Sequence, residues 1–375
     1  MSALNILALN SGSSSLKFGL YRVDSAGAEK LFGETVSTVP TDSTPSTGPT
    51  DDPPDAMTRV ASALVASGMP APDAIGHRIV HGGPALRQHC RIDDAVLRQL
   101  QAAAAFAPLH TPAALALIRA TQARFPGSAQ VACFDTQFHA ALPEVARVLP
   151  IARELLSEGM QRYGFHGLSL ESIVRQLGDL VPQRLVLAHL GNGASITALK
   201  AGQSIDTSMG LTPSGGVIMG TRSGDLDPGV LVYLMREKKY DAARLEALID
   251  QGSGLLGISG VSGDMRRLHE AAASNRDARL AIEMFCYSVR KQVAAMVAAL
   301  GGLDMLVFTG GIGENDALVR AAICSGLSWI GVSLDDSRNR SASNPVSDAP
   351  SRCQVLVLAS QEDEQIARHA WGLLA

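Results

Sequence analysis

The chain has 375 residues, of which 46% are hydrophobic and 18% charged, and its formal net charge is −4. This length favours two domains over one, and the composition is typical of a globular protein. Because the sequence has no basic stripe or polybasic run, we expect neither nucleic acid nor an anionic membrane as a partner.

The five cysteines are scattered along the chain, and none belongs to a C-x-x-C pair. This pattern argues against a disulfide framework and a zinc site, and it favours a reducing cytoplasm as the location. The N-terminal stretch MSALNILALNSG lacks the basic region and long apolar run of a signal peptide. The apolar runs, such as Val293 to Leu300, are too short to span a bilayer.

The first part of the chain alternates predicted strands and helices. Strands are predicted over Leu4 to Leu9, Leu16 to Val23, Ala74 to Val80 and Gln130 to Phe134. Helices are predicted over Ala56 to Gly68, Asp93 to Ala107 and Thr111 to Phe125. The stretch from Ser37 to Asp55 is rich in Thr, Pro, Ser and Asp, which predicts a solvated loop.

The second part continues the alternation, which indicates an α/β protein with mixed sheets. Strands are predicted over Leu185 to Leu190, Ser195 to Leu199, Leu303 to Phe308 and Val355 to Leu358. A helical pattern begins near Asn315, a polar loop is predicted from Ser337 to Arg352, and a last helix from Glu362 to Leu374.

Two segments share one plan of strand, Asn-containing turn of small residues, and strand. They are LNILALNSGSSSLKFGL and RLVLAHLGNGASITAL. The chain is therefore either built from two related halves or contains two unrelated β-hairpins, and this feature alone leaves both open.

Small-residue turns follow predicted strands at three places: Asn10 to Lys17, His189 to Ser195 and Thr309 to Asn315. Gly and Ser expose backbone N–H groups in such turns, and these groups can bind phosphate oxygens. A single glycine turn usually serves only the backbone, but three in one chain favour phosphate binding. The spacings of a P-loop and of a Rossmann fingerprint are absent, which excludes those two sites.

Charged residues near these turns could act on a phosphoryl group. The cationic candidates are Arg78, His166 and Arg222, because such groups stabilise the charge that spreads over a transferring phosphate. The acidic candidates are Asp135, Asp206, Asp264 and Glu362. Asp135 and Glu362 each follow a strand and suit Mg²⁺. Taken singly, each cationic candidate is better explained as a surface ion pair, for an arginine, or as a hydrogen-bonded core residue, for a histidine. Asp225 and Asp227 are expected to stabilise the turn beside Pro228 rather than to orient Arg222.

Together these segments resemble the acetate and propionate kinase family over nearly the whole chain. The most specific matches are NSGSSSLKF, GHRIVHGG, PLHTP, FDTQFH, YGFHG, HLGNGASI, DTSMGLTP, MGTRSGDLDPG, SGVSGDMR and FTGGIGEN. The resemblance implies the fold of sugar kinases, actin and heat-shock 70 ATPases, which is α/β with two duplicated ribonuclease-H-like domains and a nucleotide cleft between them. It implies an N-terminal domain of residues 1–137 plus 364–375, a C-terminal nucleotide-binding domain of residues 138–363, and a homodimer.

The same resemblance implies roles for individual residues. The catalytic residues are Asp135, Arg78, Arg222 and His166. The ATP or ADP site comprises Asn10, Ser13, Ser15, Lys17, His189, Asn192, Gly193, Asp264, Met265, Arg266, Gly311, Ile312, Gly313 and Asn315. Mg²⁺, or Mn²⁺ in its place, is expected at Asn10 and Glu362, with Asp135 near it. The acyl group is expected against Arg78, Val80, Leu109, Phe165 and Pro213.

The implied reaction is reversible transfer of the ATP γ-phosphoryl group to acetate, giving acetyl phosphate and ADP. A carboxylate is already ionised at neutral pH and needs no general base, so Asp135 is expected to act through the metal or by orientation. Val80 and Phe165 should make propionate a poorer substrate than acetate. The alternatives are a propionate or butyrate kinase, and a non-catalytic or ATPase protein of the same fold.

The sequence departs from the family pattern at three places, one of which is a short or divergent segment around Ser37 to Asp55. Leu168, Ser169 and Leu170 stand where Thr-Ser-His is common, and Ser214, Gly215 and Gly216 stand where Leu-Glu-Gly is common. These departures bear on the rate and the acyl preference rather than on the reaction.

Overall fold

The computed structural model describes residues 2–12, 15–37, 53–108 and 110–375. The chain divides into two compact units. Unit 1 comprises Met1–Ala140, Gly167–Ser172 and Gln361–Ala375, and unit 2 comprises Ala141–His166 and Ile173–Ser360. The predicted domain limits, which place the boundaries at residues 137 and 363, remain a prediction.

Unit 1 is built on a six-stranded sheet with the order β3-β2-β1-β4-β6-β5. Its strands are β1 (Leu4–Ser11), β2 (Ser15–Asp24), β3 (Gly27–Ser37), β4 (Ala74–Ile79), β5 (Cys90–Arg91) and β6 (Ala129–Phe134). The first three strands form an antiparallel meander, and β4 joins β1 in parallel on the other side, followed by β6.

Helices cover both faces of this sheet. They are α1 (Pro53–Ala66), α2 (Asp94–Ala102), α3 (Thr111–Arg124) and α15 (Glu362–Leu374). Alternate residues of β1 point to opposite faces, as the pleat of a strand requires. Leu7 and Leu9 pack in the core that contains α1, while Ile6 and Ala8 pack in the core that contains α15. The last helix of the chain therefore completes the first unit.

Unit 2 is built on a five-stranded sheet with the order β11-β10-β7-β8-β9. Its strands are β7 (Arg184–Leu190), β8 (Ala194–Lys200), β9 (Gln203–Thr207), β10 (Met305–Thr309) and β11 (Gln354–Val357). Here too the first three strands form an antiparallel meander, and two later strands extend the sheet in parallel from the first strand of the meander.

The remaining helices lie in or enter unit 2. They are α4 (Glu144–Arg147), α5 (Arg153–Ser157), α6 (Gly167–Leu177), α7 (Pro228–Glu237), α8 (Ala242–Gln251), α9 (Gly254–Ser259), α10 (Met265–Ala271), α11 (Arg276–Leu300), α12 (Gly310–Asn315), α13 (Ala317–Ser325) and α14 (Asp336–Ser341). Helix α6 begins within the unit 1 segment. The 25-residue α11 buries residues at helical spacing, including Ala281, Phe285, Val289 and Val293.

The shared strand order settles the question that the two Asn-containing turns left open. In unit 1 the order is β3-β2-β1-β4-β6, and in unit 2 it is β9-β8-β7-β10-β11, so each unit has an antiparallel meander followed by two parallel strands. The prediction of an α/β fold with two duplicated ribonuclease-H-like domains is confirmed, and the two similar segments are the first hairpins of related units.

Three expectations about local structure need correction or qualification. The prediction of a polar loop from Ser337 to Arg352 is wrong for its first residues, because α14 covers Asp336–Ser341 and is capped by Asp335. The helix expected near Asn315 is preceded by a further helix, α12. The sequence did not indicate α12, because its glycines have a low helix propensity. The predicted loop from Ser37 to Asp55 falls mainly outside the described residues, and α1 already begins at Pro53.

The five cysteines are free thiols, in agreement with the expectation from their spacing. Within the described ranges of the chain, none of the helices combines the length and the apolar character needed to cross a membrane.

Candidate active site

Three strands of unit 1 end at neighbouring positions and place polar side chains there. Asn10 lies near the end of β1, Arg78 near the end of β4, and Asp135 directly after β6. Because β4 runs parallel to both β1 and β6, the carboxyl ends of the three strands lie at one edge of the sheet. This edge is where α/β proteins tend to bind ligands.

Arg78 and Asp135 form the central pair at this edge. Nε of Arg78 donates to Oδ2 of Asp135 at 2.9 Å, and Nη2 donates to the same oxygen at 2.6 Å. Asp135 is only 1% exposed, and its other oxygen, Oδ1, has no hydrogen-bond partner among the described residues. Burial raises the pKa of Asp135 to about 6; the Arg78 charge opposes the rise and the Glu362 charge adds to it.

The guanidinium of Arg78 is fixed by further contacts. Its Nη1 donates to the carbonyl oxygen of Ser11 at 3.2 Å and lies 3.4 Å from Oδ1 of Asn10. Burial alone would lower its pKa, but the charges of Asp135 and Glu362 outweigh burial and raise it. Arg78 is therefore a permanent cation held in one orientation.

The first turn of α15 supplies two more carboxylates. The side-chain amide of Asn10 donates to Oε2 of Glu362 at 2.8 Å and to Oδ1 of Asp363 at 2.9 Å. Burial raises the pKa of Asp363, and the bond from Asn10 opposes that rise. Asp363 is a member of this group that the sequence reasoning missed, although its place beside Glu362 in the acidic first turn was a signal. We call Asn10, Arg78, Asp135, Glu362 and Asp363 the unit 1 cluster.

The unit 1 cluster fits a divalent cation. Mg²⁺ prefers hard oxygen ligands, usually one or two carboxylates with waters and phosphates. The cluster offers carboxylates of this kind, and the unpartnered Oδ1 of Asp135 is a buried acceptor that a metal-bound water can satisfy.

The first small-residue turn is described only in part. Ser13 lies outside the described residues, and Ser15 is described only by its backbone at the start of β2. Lys17 lies opposite Asn10 in the β1–β2 register, and its side chain is exposed. The ammonium group is thus free to approach an anion, and its predicted role stays a prediction.

In unit 2, two histidine rings stack at the end of β7. His166 and His189 have ring centroids 4.1 Å apart and an interplanar angle of 19°. His166 precedes α6 in a left-handed conformation, with a φ of 62°, and its Nδ1 lies 2.9 Å from the hydroxyl of Ser195. Left-handed backbone is uncommon for a residue with a side chain and often marks functional sites. Ser195 is the partner of His166 that the sequence did not reveal.

Gly193 lies against two of the predicted catalytic side chains. A Cβ at this position would be 3.2 Å from Nε2 of His166 and 3.3 Å from Nη1 of Arg222. Arg222 also donates from Nη1 to the carbonyl oxygen of Pro213 at 3.3 Å. The absence of a side chain at Gly193 therefore lets the turn approach both His166 and Arg222. We call His166, His189, Gly193 and Arg222 the unit 2 cluster.

The second and third small-residue turns lie side by side. Strand β10 pairs in parallel with β7, so Thr309 is opposite His189. Gly310 has a φ of 77°, and a Cβ there would be 2.8 Å from the carbonyl oxygen of Leu190. The exposed Asn192 occupies the tip of its turn, and its carbonyl accepts a hydrogen bond from the N–H of Gly220 at 3.1 Å. The sheet thus brings together two of the predicted phosphate-binding turns.

The residues predicted to bind adenosine begin two helices of unit 2. Gly311, Ile312, Gly313 and Asn315 belong to α12, where the Asn315 amide donates to the carbonyl of Gly311 at 2.9 Å. Asp264 caps α10 through the N–H of Arg266 at 2.9 Å and pairs with its guanidinium at 2.6 Å. That pairing lowers the pKa of Asp264. Met265 is buried, while the side chain of Arg266 is 88% exposed.

The residues predicted to contact the acyl group belong to both units. Val80 follows β4 in unit 1 and is half-buried, whereas Phe165 and Pro213 are buried in unit 2. Leu109 lies outside the described residues. The acyl pocket therefore remains a prediction.

Three acidic candidates have local structural roles. Asp206, in β9, accepts a hydrogen bond from the N–H of Thr207 at 2.8 Å. Asp227 caps α7 through the N–H of Gly229, and Asp225 accepts from the N–H of Gly216 at 2.7 Å. Asp227 thus stabilises the turn beside Pro228, as expected, whereas the hydrogen bond of Asp225 goes to Gly216 and not to that turn.

Comparison with known proteins identifies the family of this chain. The sequence profile of the Acetokinase family matches residues 5–368. The chain belongs to this family.

Relatives within the acetokinase family include curated proteins and solved structures. The acetate kinase of Gloeobacter violaceus is 46% identical over 80% of this chain and 76% of its own. The acetate kinase of Nitrobacter hamburgensis is 39% identical over 99% of this chain and 96% of its own. A propionate kinase structure from Francisella tularensis is 35% identical, with a TM-score of 0.86 over the full length of both chains. The Porphyromonas gingivalis acetate kinase structure is 34% identical, with a TM-score of 0.82 over 99% of this chain and 100% of its own.

The departures from the acetokinase family pattern near His166 are core residues. Leu168, Ser169 and Leu170 have no solvent exposure. Leu168 packs in the core of unit 1 that also contains residues of α15. Leu170 thus replaces a polar ring by an apolar side chain in a buried place, which needs no hydrogen-bond partner.

A second group of metal-ligand residue types in this acetokinase lies in unit 1. Ligand atoms of His89, Glu171 and His369 lie within 4.8 Å of one another. However, the N–H of Phe134 donates to Nδ1 of His89 at 3.0 Å, so the neutral ring carries its proton on Nε2. A metal would need the lone pair of that nitrogen. Burial opposes the charge on Glu171, but the hydrogen bond with His369 and the nearby ring of His89, whose Nε2 lies 4.0 Å from Oε2 of Glu171, outweigh burial and lower its pKa to about 2. We therefore interpret this group as a hydrogen-bonded carboxylate rather than a metal site.

Proposed function

We propose that this protein is an acetate kinase, which transfers the γ-phosphoryl group of ATP to acetate and forms acetyl phosphate and ADP. The observation that carries the proposal is the buried Arg78–Asp135 pair at the carboxyl edge of the unit 1 sheet, with Oδ1 of Asp135 unpartnered among the described residues. Membership of the acetokinase family supports the reaction, and the curated relatives that bear the name acetate kinase support the acceptor.

Magnesium is part of this proposal. Asn10, Asp135 and Glu362 are the residues of the unit 1 cluster that would hold it with the nucleotide phosphates. When bound, the ion would neutralise charge on the transferring phosphoryl group. Asp135 orients Arg78 through two bonds to one oxygen, and Asn10 holds the carboxylate of Glu362. These residues thus position charge and do not need to move a proton.

Residues of unit 2 would bind the nucleotide and its transferring phosphoryl group. The turn at Asn192 and Gly193 would bind phosphate through backbone N–H groups, and the start of α12 would lie against the nucleoside. His166 and Arg222 would donate hydrogen bonds to the oxygens of the moving phosphoryl group, where negative charge spreads in the transition state. The stacked rings and the approach of Gly193 hold His166 in place for this role.

Acetate needs no activation in this account. Its carboxylate is ionised at neutral pH because the pKa of a simple carboxylic acid lies near those of Asp and Glu. The protein contributes alignment of the two reactants and stabilisation of charge. A sugar kinase, in contrast, must remove a proton from a hydroxyl group.

The proposal is tested by measuring ADP release from MgATP with acetate, propionate and butyrate in separate reactions. The expected result is release that depends on an added acid and is fastest with acetate. Release that is indifferent to every acid would favour an ATPase of the same fold. As a control, Arg78→Ala should lose the acid-dependent part.

A propionate kinase is the second candidate. The Francisella tularensis structure with that name covers the full chain with a TM-score of 0.86. One methylene in an apolar pocket changes binding by roughly 1–3 kcal/mol, so the two acids should differ in rate rather than exclude each other. A higher kcat/KM for propionate than for acetate would decide for this candidate.

We also propose that the chain forms a homodimer through α7. None of the ten residues of this helix is buried, although its sequence, PGVLVYLMRE, is largely apolar. Val232, Tyr233 and Met235 are 46%, 55% and 52% exposed. An exposed apolar patch of this kind is typical of a protein interface. Light scattering should show a dimer for the wild type and a monomer for Val232→Glu, while Val145→Glu, outside α7, should stay dimeric. A monomeric wild type would overturn the proposal.

The two units support the predicted division into domains. We propose that residues 1–137 with 364–375 form the N-terminal ribonuclease-H-like domain, and that residues 138–363 form the domain that binds the nucleotide.

A further inference from the structure

Arg320 is a charged side chain in the interior of unit 2. It lies on α13, is 1% exposed, and is the largest fully buried side chain in the described part of the chain. A buried guanidinium is costly unless its N–H groups are hydrogen-bonded. All of its hydrogen bonds in the described residues go to neutral oxygens, and these oxygens lie on two other helices.

Two of these oxygens are backbone carbonyls of α12. Nη1 of Arg320 donates to the carbonyl of Gly313 at 2.9 Å and to that of Glu314 at 3.0 Å. The carbonyls in the last turn of a helix have no partner within the helix, so they must be satisfied from outside. Arg320 therefore fixes the C-terminal end of α12.

The other oxygens belong to Asn339 on α14. Nε of Arg320 donates to Oδ1 of Asn339 at 2.8 Å, and Nη2 donates to its backbone carbonyl at 2.5 Å. The amide of Asn339 in turn donates to the carbonyl of Ala317 at 2.9 Å. The buried pair thus connects α12, the start of α13 and α14 in one hydrogen-bonded group.

The N-terminal end of α12 is held by a different group. Oε1 of Glu314 accepts from the N–H of Gly310 at 2.9 Å and from the N–H of Ser360 at 2.9 Å. With both ends fixed, the residues that face outward include Gly311, which is exposed, and Ile312, which is half-buried. These are two of the residues predicted to bind the nucleoside.

We propose that Arg320 is a positioning residue for the nucleotide. It holds α12 in place so that Gly311 and Ile312 present a preformed surface to the nucleoside, and it does not itself touch the ligand because it is buried. This proposal rests on the proposed function, since it assumes that α12 contacts ATP. A rigid surface binds its ligand more tightly because less conformational entropy is lost on binding. Replacement of Arg320 should therefore weaken nucleotide binding selectively.

The test uses Arg320→Lys in the full chain. Lysine keeps the charge but lacks the planar guanidinium group with its several N–H donors. It therefore cannot donate to the carbonyls of α12 and to both oxygens of Asn339 at the same time. We expect the KM for ATP and the Kd for ADP, measured by calorimetry, to rise about tenfold, the effect of roughly one lost hydrogen-bonded contact. The KM for acetate and the kcat at saturating ATP should stay within about twofold.

Arg290→Lys is the matched control. Arg290 lies on α11 in the same unit, and its Nη2 donates at 2.5 Å to the carbonyl of Ala322 on α13. The control therefore perturbs an arginine–carbonyl bond that does not reach α12, and it should leave the KM for ATP unchanged. Asn339→Ser is a milder second variant, which removes the acceptor of Nε and should raise the KM for ATP in the same direction by a smaller factor.

The outcomes separate this proposal from the proposed function. If Arg320→Lys and Asn339→Ser lower the melting temperature but keep wild-type affinity for ADP, Arg320 is only structural and the proposal is wrong. An equal rise in both KM values would also overturn it. If the wild type itself neither binds ADP nor forms a phosphorylated acid, the proposed function fails and this inference fails with it.

Discussion

Arg78 donates two hydrogen bonds, at 2.9 Å and 2.6 Å, to a single oxygen of Asp135, and the other oxygen of that carboxylate is buried without a partner among the described residues. Arginine–carboxylate pairs are frequently bidentate, with one bond to each oxygen. A buried acceptor without a partner costs free energy of about 1–3 kcal/mol. We interpret the free oxygen as reserved for a ligand that arrives with the substrate.

Replacement of Arg78 should therefore affect catalysis more than binding. In Arg78→Ala the carboxylate of Asp135 loses both hydrogen bonds, and the transition state loses a fixed cation. We expect kcat to fall about 10²–10³-fold, as for the loss of other transition-state hydrogen-bond donors. Steady-state kinetics with acetate and MgATP measure this change. Arg91→Ala, at the exposed end of β5, is the control, and a kcat for Arg78→Ala within about threefold of wild type would contradict the assigned role.

The rate should also depend on pH through Asp135. Burial raises the pKa of this carboxyl to about 6, and the charge of Glu362 contributes to the rise. Protonation would remove the acceptor that orients Arg78, so kcat/KM for MgATP, which reports the groups of the free enzyme, should fall as the pH drops below about 6. Acetate titrates at lower pH and does not cause this fall.

The variant Glu362→Gln separates Asp135 from other groups that titrate in this range. The charge of Glu362 repels the Asp135 carboxylate, so removing that charge should lower the pKa of Asp135. The fall of the variant's remaining activity at acidic pH should therefore begin at a lower pH than in the wild type. An acidic limb that stays in place, or moves to higher pH, would assign the titration to another group.

Gly193 should not tolerate a side chain. A Cβ there would lie 3.2 Å from Nε2 of His166 and 3.3 Å from Nη1 of Arg222, so both side chains must move by a few tenths of an ångström in Gly193→Ala. Shifts of this size at a transition-state contact are expected to lower kcat at least tenfold, with a smaller effect on the melting temperature. Gly127→Ala is the matched control, because a Cβ there has no atom within 4 Å. Equal kinetics for the two variants would show that the turn does not position His166 or Arg222.

Val80 should influence the choice of acid. If its half-buried side chain limits the space for the acyl group, Val80→Ala should raise the ratio of kcat/KM for propionate over acetate about tenfold. Val65→Ala, at an exposed position of α1, is the control for general effects of a valine truncation. An unchanged ratio in Val80→Ala would remove this residue from the predicted acyl pocket.

The sequence predicted the framework of the fold because its signals are local. Strands such as Leu185 to Leu190 are continuous apolar runs that end in glycine turns, and helix Glu362 to Leu374 was predicted with the bounds that the structure has. The two short helices α12 and α14 were missed for opposite reasons. The glycines of Gly310–Asn315 have a low helix propensity, and tertiary contacts stabilise this helix instead. The residues of Asp336–Ser341 are mostly polar, so the sequence showed no apolar face, although the helix buries Asn339.

The candidate residues of the site were predicted from motifs, but their partners were not. Nothing in the sequence pairs Asn10 with Asp363, or His166 with Ser195, because these contacts join residues that are distant along the chain. Arg320 gave no signal either, since a lone arginine in a helical pattern is usually exposed. Such contacts depend on strand order, which periodicity does not determine.

The central claim is that a carboxylate receives the phosphoryl group, and trapping the product with hydroxylamine tests it most directly. The protein is incubated with MgATP and acetate, and the hydroxamate that forms from an acyl phosphate is measured by its colour with ferric ion. We expect hydroxamate that increases with time, requires acetate and is greatly reduced in Arg78→Ala. ADP release from the wild type without hydroxamate from acetate, propionate or butyrate would contradict it.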